Sequence, residues 1–271
     1  MAHKSRPSNW LLLPLFPSFQ PMTDERILVV PDVHGRTFWK SVKGFDGQIV
    51  FLGDYHDPYP WDFAEPGEWW PTCDYNRRSI KNMKELFRFA DENQNRVTLL
   101  LGNHDMAYIA QNYDASRKDY LNENELRALY NEYKPLFSGC KVIGNTIFTH
   151  AGISNEWYNE MLLEHPELDR KNIESNVNTS ILNQWKCILE ASPIRGGYRE
   201  FAGPLWMDYN ELLDKTVTPL DNGMFQIFGH TQQEITGNVV SADNWASIDS
   251  RCVFEINPMS PFKLQHNDTE A

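Results

Sequence analysis

Basic charge is what this sequence has least of. Lys and Arg number 25 against 37 Asp and Glu, giving a formal net charge of −12 over 271 residues. That balance argues against a general nucleic-acid binder, which presents a basic face to the phosphate backbone. It leaves a phosphorylated substrate open, because bound divalent cations reverse the local sign of an acidic site. Cysteine is also scarce. Cys73, Cys140, Cys187 and Cys252 are widely spaced and form no CxxC pair, which reads as reduced thiols of a cytoplasmic protein, not a disulfide framework. No apolar run is long enough to span a membrane. The apolar stretch at residues 10–16 is broken by Pro14 and leads to no clear small-residue cleavage site. Residues 1–24 therefore read as a loosely ordered leader, with Met22 as an alternative start. Internal repeats and low-complexity segments are absent.

What the chain does have is a recurring local pattern. Ile27-Leu28-Val29-Val30 is a short β-branched run that stops at Pro31-Asp32, as a buried strand would. Residues 48–52 repeat it and end at Gly53-Asp54; residues 97–101 end at Gly102-Asn103-His104-Asp105. Residues 143–149 form a fourth run ending at His150-Ala151-Gly152, and residues 225–228 a fifth ending at Gly229-His230-Thr231. Helical periodicity falls between them, at 76–93 (Ile80, Met83, Leu86, Phe87, Ala90), at 123–137 and at 180–191. Alternating strands and helices predict an α/β sheet with crossover connections, whose ligand sites gather at the carboxyl ends of the strands. After His230 the segments 235–240, 245–248 and 252–256 read as short strands completing a sheet. The length favours one domain, residues 25–271, interrupted at 58–75 by an insertion rich in Trp and Pro. That insertion is either a lid over the site or a surface loop packed through its tryptophans.

The polar clusters at the strand ends have the chemistry of metal ligands. Asp32 and His34 supply a carboxylate and an imidazole, Asp54 a second carboxylate, Asn103 an amide oxygen, and His150 and His230 two imidazoles. Hard and borderline divalent metals take this donor set, with a carboxylate bridging where two ions lie close. Glycines flank most of these positions, as expected where backbone must turn tightly beside a cofactor. Each cluster alone is an ordinary turn or a structural histidine; five of them, each after its own strand, are not explained by coincidence.

Taken together, Asp32-Val33-His34-Gly35, Gly53-Asp54-Tyr55-His56-Asp57, Gly102-Asn103-His104-Asp105, His150-Ala151-Gly152 and Gly229-His230-Thr231 resemble the calcineurin-like metallophosphoesterase superfamily. The likeness spans residues 26–256 and is greatest to the phosphoprotein phosphatase branch, which includes bacterial and phage serine/threonine phosphatases and symmetrical diadenosine tetraphosphatases. The resemblance implies a four-layer α/β/β/α sandwich, two mixed sheets flanked by helices, with the site at one edge. It implies two divalent metal ions, Mn²⁺ foremost and Fe or Zn as alternatives. Asp32, His34 and Asp54 would hold the first, and Asp54, Asn103, His150 and His230 the second. His104 would be the general acid, with Asp57 orienting it. Two such ions about 3.5–4 Å apart share and activate a hydroxide for in-line attack on a phosphoryl group, and an alkoxide leaving group needs the proton an imidazole supplies.

The sequence departs from the family pattern twice. Diesterase-type relatives read GHxH, but position 232 is Gln, which favours monoester hydrolysis. Phosphoprotein phosphatases read GDxxDRG, the arginine gripping phosphate, whereas Pro58 follows Asp57 here. A planar guanidinium is well matched to phosphate, so Arg77 or Arg78 at the end of the insertion, or Arg195 or Arg199 before Gly203-Pro204-Leu205-Trp206, would replace it. The implied function is hydrolysis of phosphomonoesters, foremost phosphoserine or phosphothreonine in proteins. A nucleotide or dinucleoside polyphosphate hydrolase is the alternative, and a non-catalytic scaffold with the same fold a third. The expected partner is a phosphorylated substrate, with neither a nucleic-acid duplex nor a membrane.

Overall fold

Both faces of the first apolar run are covered, since Ile27 to Val30 are buried at every position. The computed structural model describes residues 26–63, 74–111, 113–115, 117–257 and 265–266; the leader 1–24, residues 64–73 of the insertion and Cys73 lie outside the described residues. In chain order the strands are β1 (Ile27–Val30), β2 (Gln48–Phe51), β3 (Val97–Leu100), β4 (Phe137–Ser138), β5 (Cys140–Ile143), β6 (Thr146–Thr149), β7 (Phe225–Phe228), β8 (Val240–Ala242), β9 (Trp245–Ser247), β10 (Phe254–Ile256) and β11 (Gln265–His266). The helices are α1 (Tyr75–Asp91), α2 (Asn103–Ile109), α3 (Glu123–Glu132), α4 (Asn155–Glu164), α5 (Ile173–Leu182), α6 (Lys186–Leu189) and α7 (Tyr209–Leu213).

They form two mixed sheets, one ordered β11-β10-β1-β2-β3-β4 and the other β5-β6-β7-β9-β8. In the first, β1, β2, β3 and β4 run parallel while β10 joins β1 antiparallel. In the second, β6, β7 and β9 run parallel, flanked by antiparallel β5 and β8. The side-chain alternation of a strand assigns the layers. Ile27 and Val29 face Phe148, Ile227 and Ala246 in the core between the sheets. Leu28 and Val30 face the opposite way, onto Met83, Leu86 and Phe87 of α1 and Leu126 of α3. Ile147 of β6 packs outward on Trp157, Met161 and Val177 of α4 and α5. The result is helix, sheet, sheet, helix, with each buried aliphatic side chain contributing about 1.5–3 kcal/mol.

Several elements differ from their sequence expectation. Residues 143–149 are not one strand but the end of a hairpin, β5 and β6, turning at Gly144 with φ +58°. The helix expected over 123–137 stops at Glu132 and tightens into a 3-10 turn containing Pro135, a residue that cannot continue an α-helix. The helix expected over 180–191 begins earlier, at Ile173, and breaks at Gln184, whose φ is +52°. α4 carries no expectation at all, although Ser154 caps it by accepting from the Trp157 N–H. The segment at 235–240 forms a strand only from Val240, and Ile235 is exposed. Finally, β10 joins β1 in the first sheet instead of following β9.

Candidate metal centre

Asp32, Asp54, Asn103, His150 and His230 all follow the carboxyl ends of β1, β2, β3, β6 and β7, so the parallel strands of both sheets aim their loops at one place. Glycine permits the close approach. A Cβ on Gly102 would fall 2.1 Å from Asp54 Oδ1, and one on Gly229 would fall 2.3 Å from Asp32 Oδ1. The backbone is also strained there: His34, Asp54 and His230 have φ of +44°, +53° and +69°. Left-handed non-glycine residues cost about 1–3 kcal/mol each and persist where the surroundings over-determine them.

The structure brings the six expected ligands together. One group comprises His34, Asp54 and His104, another Asp54, His150 and His230, with one ligating atom per residue lying within 4.8 Å of the others. Asp54 belongs to both, the position a bridging carboxylate requires. Asp32 adjoins them, its Oδ1 accepting from the His230 backbone N–H at 3.1 Å and lying 3.9 Å from His150 Nδ1.

Hydrogen bonding fixes which nitrogen of His150 and of His34 is bare. His150 Nδ1 donates to the Leu52 carbonyl at 2.9 Å, and His34 Nδ1 donates to the His56 carbonyl at 2.9 Å. A carbonyl only accepts, so each Nε2 carries its lone pair inward. The His34 lone pair faces Asp54 Oδ2 at 3.6 Å; that of His150 faces Asn103 Oδ1 at 3.0 Å and Asp54 Oδ2 at 3.7 Å. His230 brings Nδ1 to 3.0 Å from His150 Nε2, and its Nε2 is buried with no partner among the described residues. Protonation does not relieve this crowding, because burial holds His150 down to about 4 and holds His34 and His230 well below the usual imidazole range. Burial likewise raises Asp32 and Asp54, with repulsion from Asp249 and Asp54 adding to the effect on Asp32. Lone pairs and carboxyl oxygens crowded together where burial disfavours both imidazolium and free carboxylate are what a pair of divalent cations satisfies, and the residues fit one.

His104 differs from the other imidazoles. Its Nδ1 donates to Asp57 Oδ2 at 2.7 Å, and Tyr108 Oη donates to the other carboxylate oxygen. Burial would lower its pKa, but the Asp54 and Asp57 carboxylates outweigh burial and raise it. Its backbone N–H meanwhile donates to Asp54 Oδ1 at 2.9 Å, tying the ring to the centre.

Three of the four expected arginines lie elsewhere. Arg77 pairs with Glu125 at 2.5 Å on the surface, and Arg199 is held by Glu160, Glu164 and Glu190. Arg78 donates to the Phe63 carbonyl at 2.7 Å and lines a separate cavity with Arg36. Arg195 does approach the centre: it pairs with Asp208 at 2.8 Å, donates to Thr231 Oγ1 beside His230, and leaves its buried Nε unpartnered among the described residues.

Three residues at the centre carry no sequence expectation of a role. Asp105 accepts from the backbone N–H groups of Asp54, Tyr55 and Gly102 at 2.8, 3.0 and 2.7 Å, bracing two ligand loops against each other. Asp249 is buried after β9 with its Oδ1 unpartnered among the described residues, and burial pushes it up to about 7. Arg117 lies 3.7 Å over the Tyr59 ring and 3.4 Å from the Asp57 carbonyl, beside the very position where the sequence has Pro58. Its charge lowers the pKa of His34, Asp54 and His104. Only Asp105 had a signal, as the last letter of GNHD; Arg117 lies in a loop with no motif.

A family model described as calcineurin-like phosphoesterase matches residues 25–234. No curated protein matches the sequence. Among solved structures, a point mutant of a cold-active protein tyrosine phosphatase aligns at TM-score 0.50 and 17% identity, covering 85% of this chain and 75% of that one. The cold-active protein-tyrosine phosphatase of a psychrophilic Shewanella species aligns at 0.49 and 16%, covering 89% and 80%. A protein serine/threonine phosphatase from Saccharomyces cerevisiae aligns at 0.47 and 17%, covering 88% and 75%. At such identities the likeness concerns fold alone.

Proposed function

Because the chain belongs to the calcineurin-like phosphoesterase family, a family of metal-dependent phosphoesterases, we propose that it hydrolyses phosphomonoesters at the Asp54 centre, with phosphoserine and phosphothreonine proteins as the first substrate class. The observation that carries this reading is the convergence of bare imidazole nitrogens on Asp54 from two sides. In this reading Asp32, His34 and Asp54 hold one cation, and Asp54, Asn103, His150 and His230 hold the other. Bound there, two divalent cations supply Lewis acidity and an activated water at neutral pH.

The remaining steps belong to side chains. Arg195 and Arg117 approach the centre from opposite ligands, His230 and His34 respectively, and grip the phosphoryl oxygens; Arg117 takes the place of the arginine missing after Asp57. A guanidinium suits that task because its planar fork matches a phosphate face. His104 gives a proton to the departing alkoxide, while Asp57, held by Tyr108, keeps the ring oriented and stabilises its charged form. Asp105 positions both loops.

Manganese is the first cation to test. The metal-loaded chain should hydrolyse an aryl phosphate and lose that activity on chelation. Turnover of a phosphopeptide against diadenosine tetraphosphate separates the two substrate readings; strong preference for the latter overturns the protein phosphatase assignment. A chain that binds no Mn, Fe or Zn and turns over no aryl phosphate is a scaffold.

A further inference from the structure

Arg117 stands on strained backbone. Its φ is +63°, a conformation that a non-glycine residue keeps only where its surroundings impose it. The Tyr59 ring at 3.7 Å and the Asp57 carbonyl at 3.4 Å hold its guanidinium, but the residue itself is exposed, in the loop joining α2 to α3. The backbone from which it reaches needs a separate anchor. Lys118 pairs with Asp114 and Glu123, at the loop's own ends, and so does not fix it to the metal centre. Asp119 does. Its side chain is 1% exposed, although Arg117 and Tyr120 on either side of it face solvent, and a carboxylate leaves water only where other groups satisfy it.

The partners of Asp119 tie the loop to the ligand-bearing segments. Its Oδ1 accepts from the Asn122 backbone N–H at 3.2 Å, and its Oδ2 from the Asn122 side-chain amide at 2.6 Å and His56 Nε2 at 3.4 Å. A carboxylate only accepts, so Nε2 carries the proton of the neutral His56 ring, and Nδ1 accepts from Ser79 Oγ at 2.7 Å. The Asp119 backbone N–H donates to Tyr108 Oη at 2.8 Å. Both ties lead to the centre. The His56 carbonyl accepts from His34 Nδ1 at 2.9 Å, and Tyr108 donates to Asp57, the partner of His104. Ser79, His56 and Asp119 have the residue types of a hydrolytic triad, but Ser79 is fully buried, and a Cβ on Gly35 would fall 2.3 Å from its Oγ. That hydroxyl meets no substrate, so the row holds the loop.

We propose that Asp119 is a positioning residue for phosphate binding: through His56 and Tyr108 it fixes the backbone of Arg117, so that the guanidinium is set toward the centre before substrate arrives. Presetting a group in this way removes the cost of ordering it on binding. The inference rests on the phosphate grip proposed for Arg117, and its test separates the two. Calorimetry of inorganic phosphate binding to the manganese-loaded chain compares the parent, Asp119→Asn, Arg117→Gln and the double variant. Asp119→Asn keeps the shape but sets an amide N–H against the His56 donor. It should weaken phosphate binding about fivefold or more with manganese retained, and should weaken it no further once Arg117 is replaced. Asn122→Ala, at the half-exposed start of α3, removes the 2.6 Å bond to the carboxylate. It should show a smaller loss with the same dependence on Arg117, and carries the test if Asp119→Asn does not fold. Unchanged phosphate affinity in both variants overturns the proposal. So does an equal loss with and without the Arg117 guanidinium, which marks a general structural role. A loss in Arg117→Gln but not in Asp119→Asn overturns this inference and leaves the grip standing, whereas an Arg117→Gln variant that binds phosphate as the parent does overturns both. The expected pattern in a chain that turns over no aryl phosphate would sink the catalytic reading alone.

Discussion

His150 turns the lone pair of Nε2 toward Asn103 Oδ1 across 3.0 Å, and neither atom has a proton to offer the other. A proton on His150 would relieve the contact, but burial keeps that ring neutral above about pH 4. A cation held by both relieves it without that cost. His150→Ala should therefore lower bound manganese from two equivalents toward one, and Asp54→Ala, which removes the shared carboxylate, should lower it further. Elemental analysis after dialysis checks both. Full occupancy in Asp54→Ala would be incompatible with a bridging role.

The general-acid assignment makes a graded prediction. His104→Ala removes the proton donor while leaving the metal-facing atoms of the other residues in place, so the metals should stay. Turnover of an alkyl phosphate should fall about 10²–10⁴-fold, and that of a p-nitrophenyl ester much less, since its leaving group needs no proton. Asp57→Asn should fall in the same order with a smaller loss, because the ring remains but its orientation and charged form lose support. Equal losses on both esters would point to His104 as a ligand instead.

How much of this was legible in the sequence depends on how local the cause was. A strand that is buried on both faces leaves an unbroken apolar run, and a ligand loop leaves glycine beside aspartate, so β1, β2, β3 and β7 and the six clustered donors could be read directly. The hairpin at Gly144 was hidden because Ile143 and Thr146 flank a two-residue turn with similar apolar character. The break at Gln184 was hidden because a left-handed glutamine follows from tertiary packing, not from propensity. Arg117 was hidden for a different reason. Its reach to the Asp57 carbonyl is made through space, by a loop sixty residues away, and no motif surrounds it.

Arg117 and Arg195 should show their role in substrate affinity. Arg117→Gln and Arg195→Gln should each lower kcat/KM about tenfold to a hundredfold, the range for losing a hydrogen bond to a charged group, with manganese retained. Arg199→Gln, whose partners are Glu160, Glu164 and Glu190, should behave as the parent enzyme. Steady-state kinetics on p-nitrophenyl phosphate make the comparison, and an unaffected Arg117→Gln would return the missing phosphate contact to Arg195 alone.

Asp249 gives the metal-free chain a pH-dependent stability whose sign follows from its environment. Burial pushes its carboxyl from an ordinary 3.8 up to about 7 in the fold, so the folded state binds a proton that the unfolded state has already released. The stability linked to that proton is complete below the unfolded value and is lost as pH rises through about 7. His150, His34 and His230, which burial lowers in the fold, act oppositely and still titrate in the unfolded chain near pH 6.5, so the carboxylate is read as the difference between the parent and Asp249→Asn in the window from 6.5 to 8. Across it the metal-free parent should lose about 1 kcal/mol, or roughly 2 °C in Tm, relative to Asp249→Asn. Manganese should remove that difference by stabilising the ionised carboxylates. Thermal melts at matched ionic strength, with and without metal, measure both. A parent chain whose metal-free Tm follows the same pH dependence as Asp249→Asn would mean that Asp249 is already ionised in the fold, and that Arg36 and Arg251, which draw its pKa down, outweigh its burial.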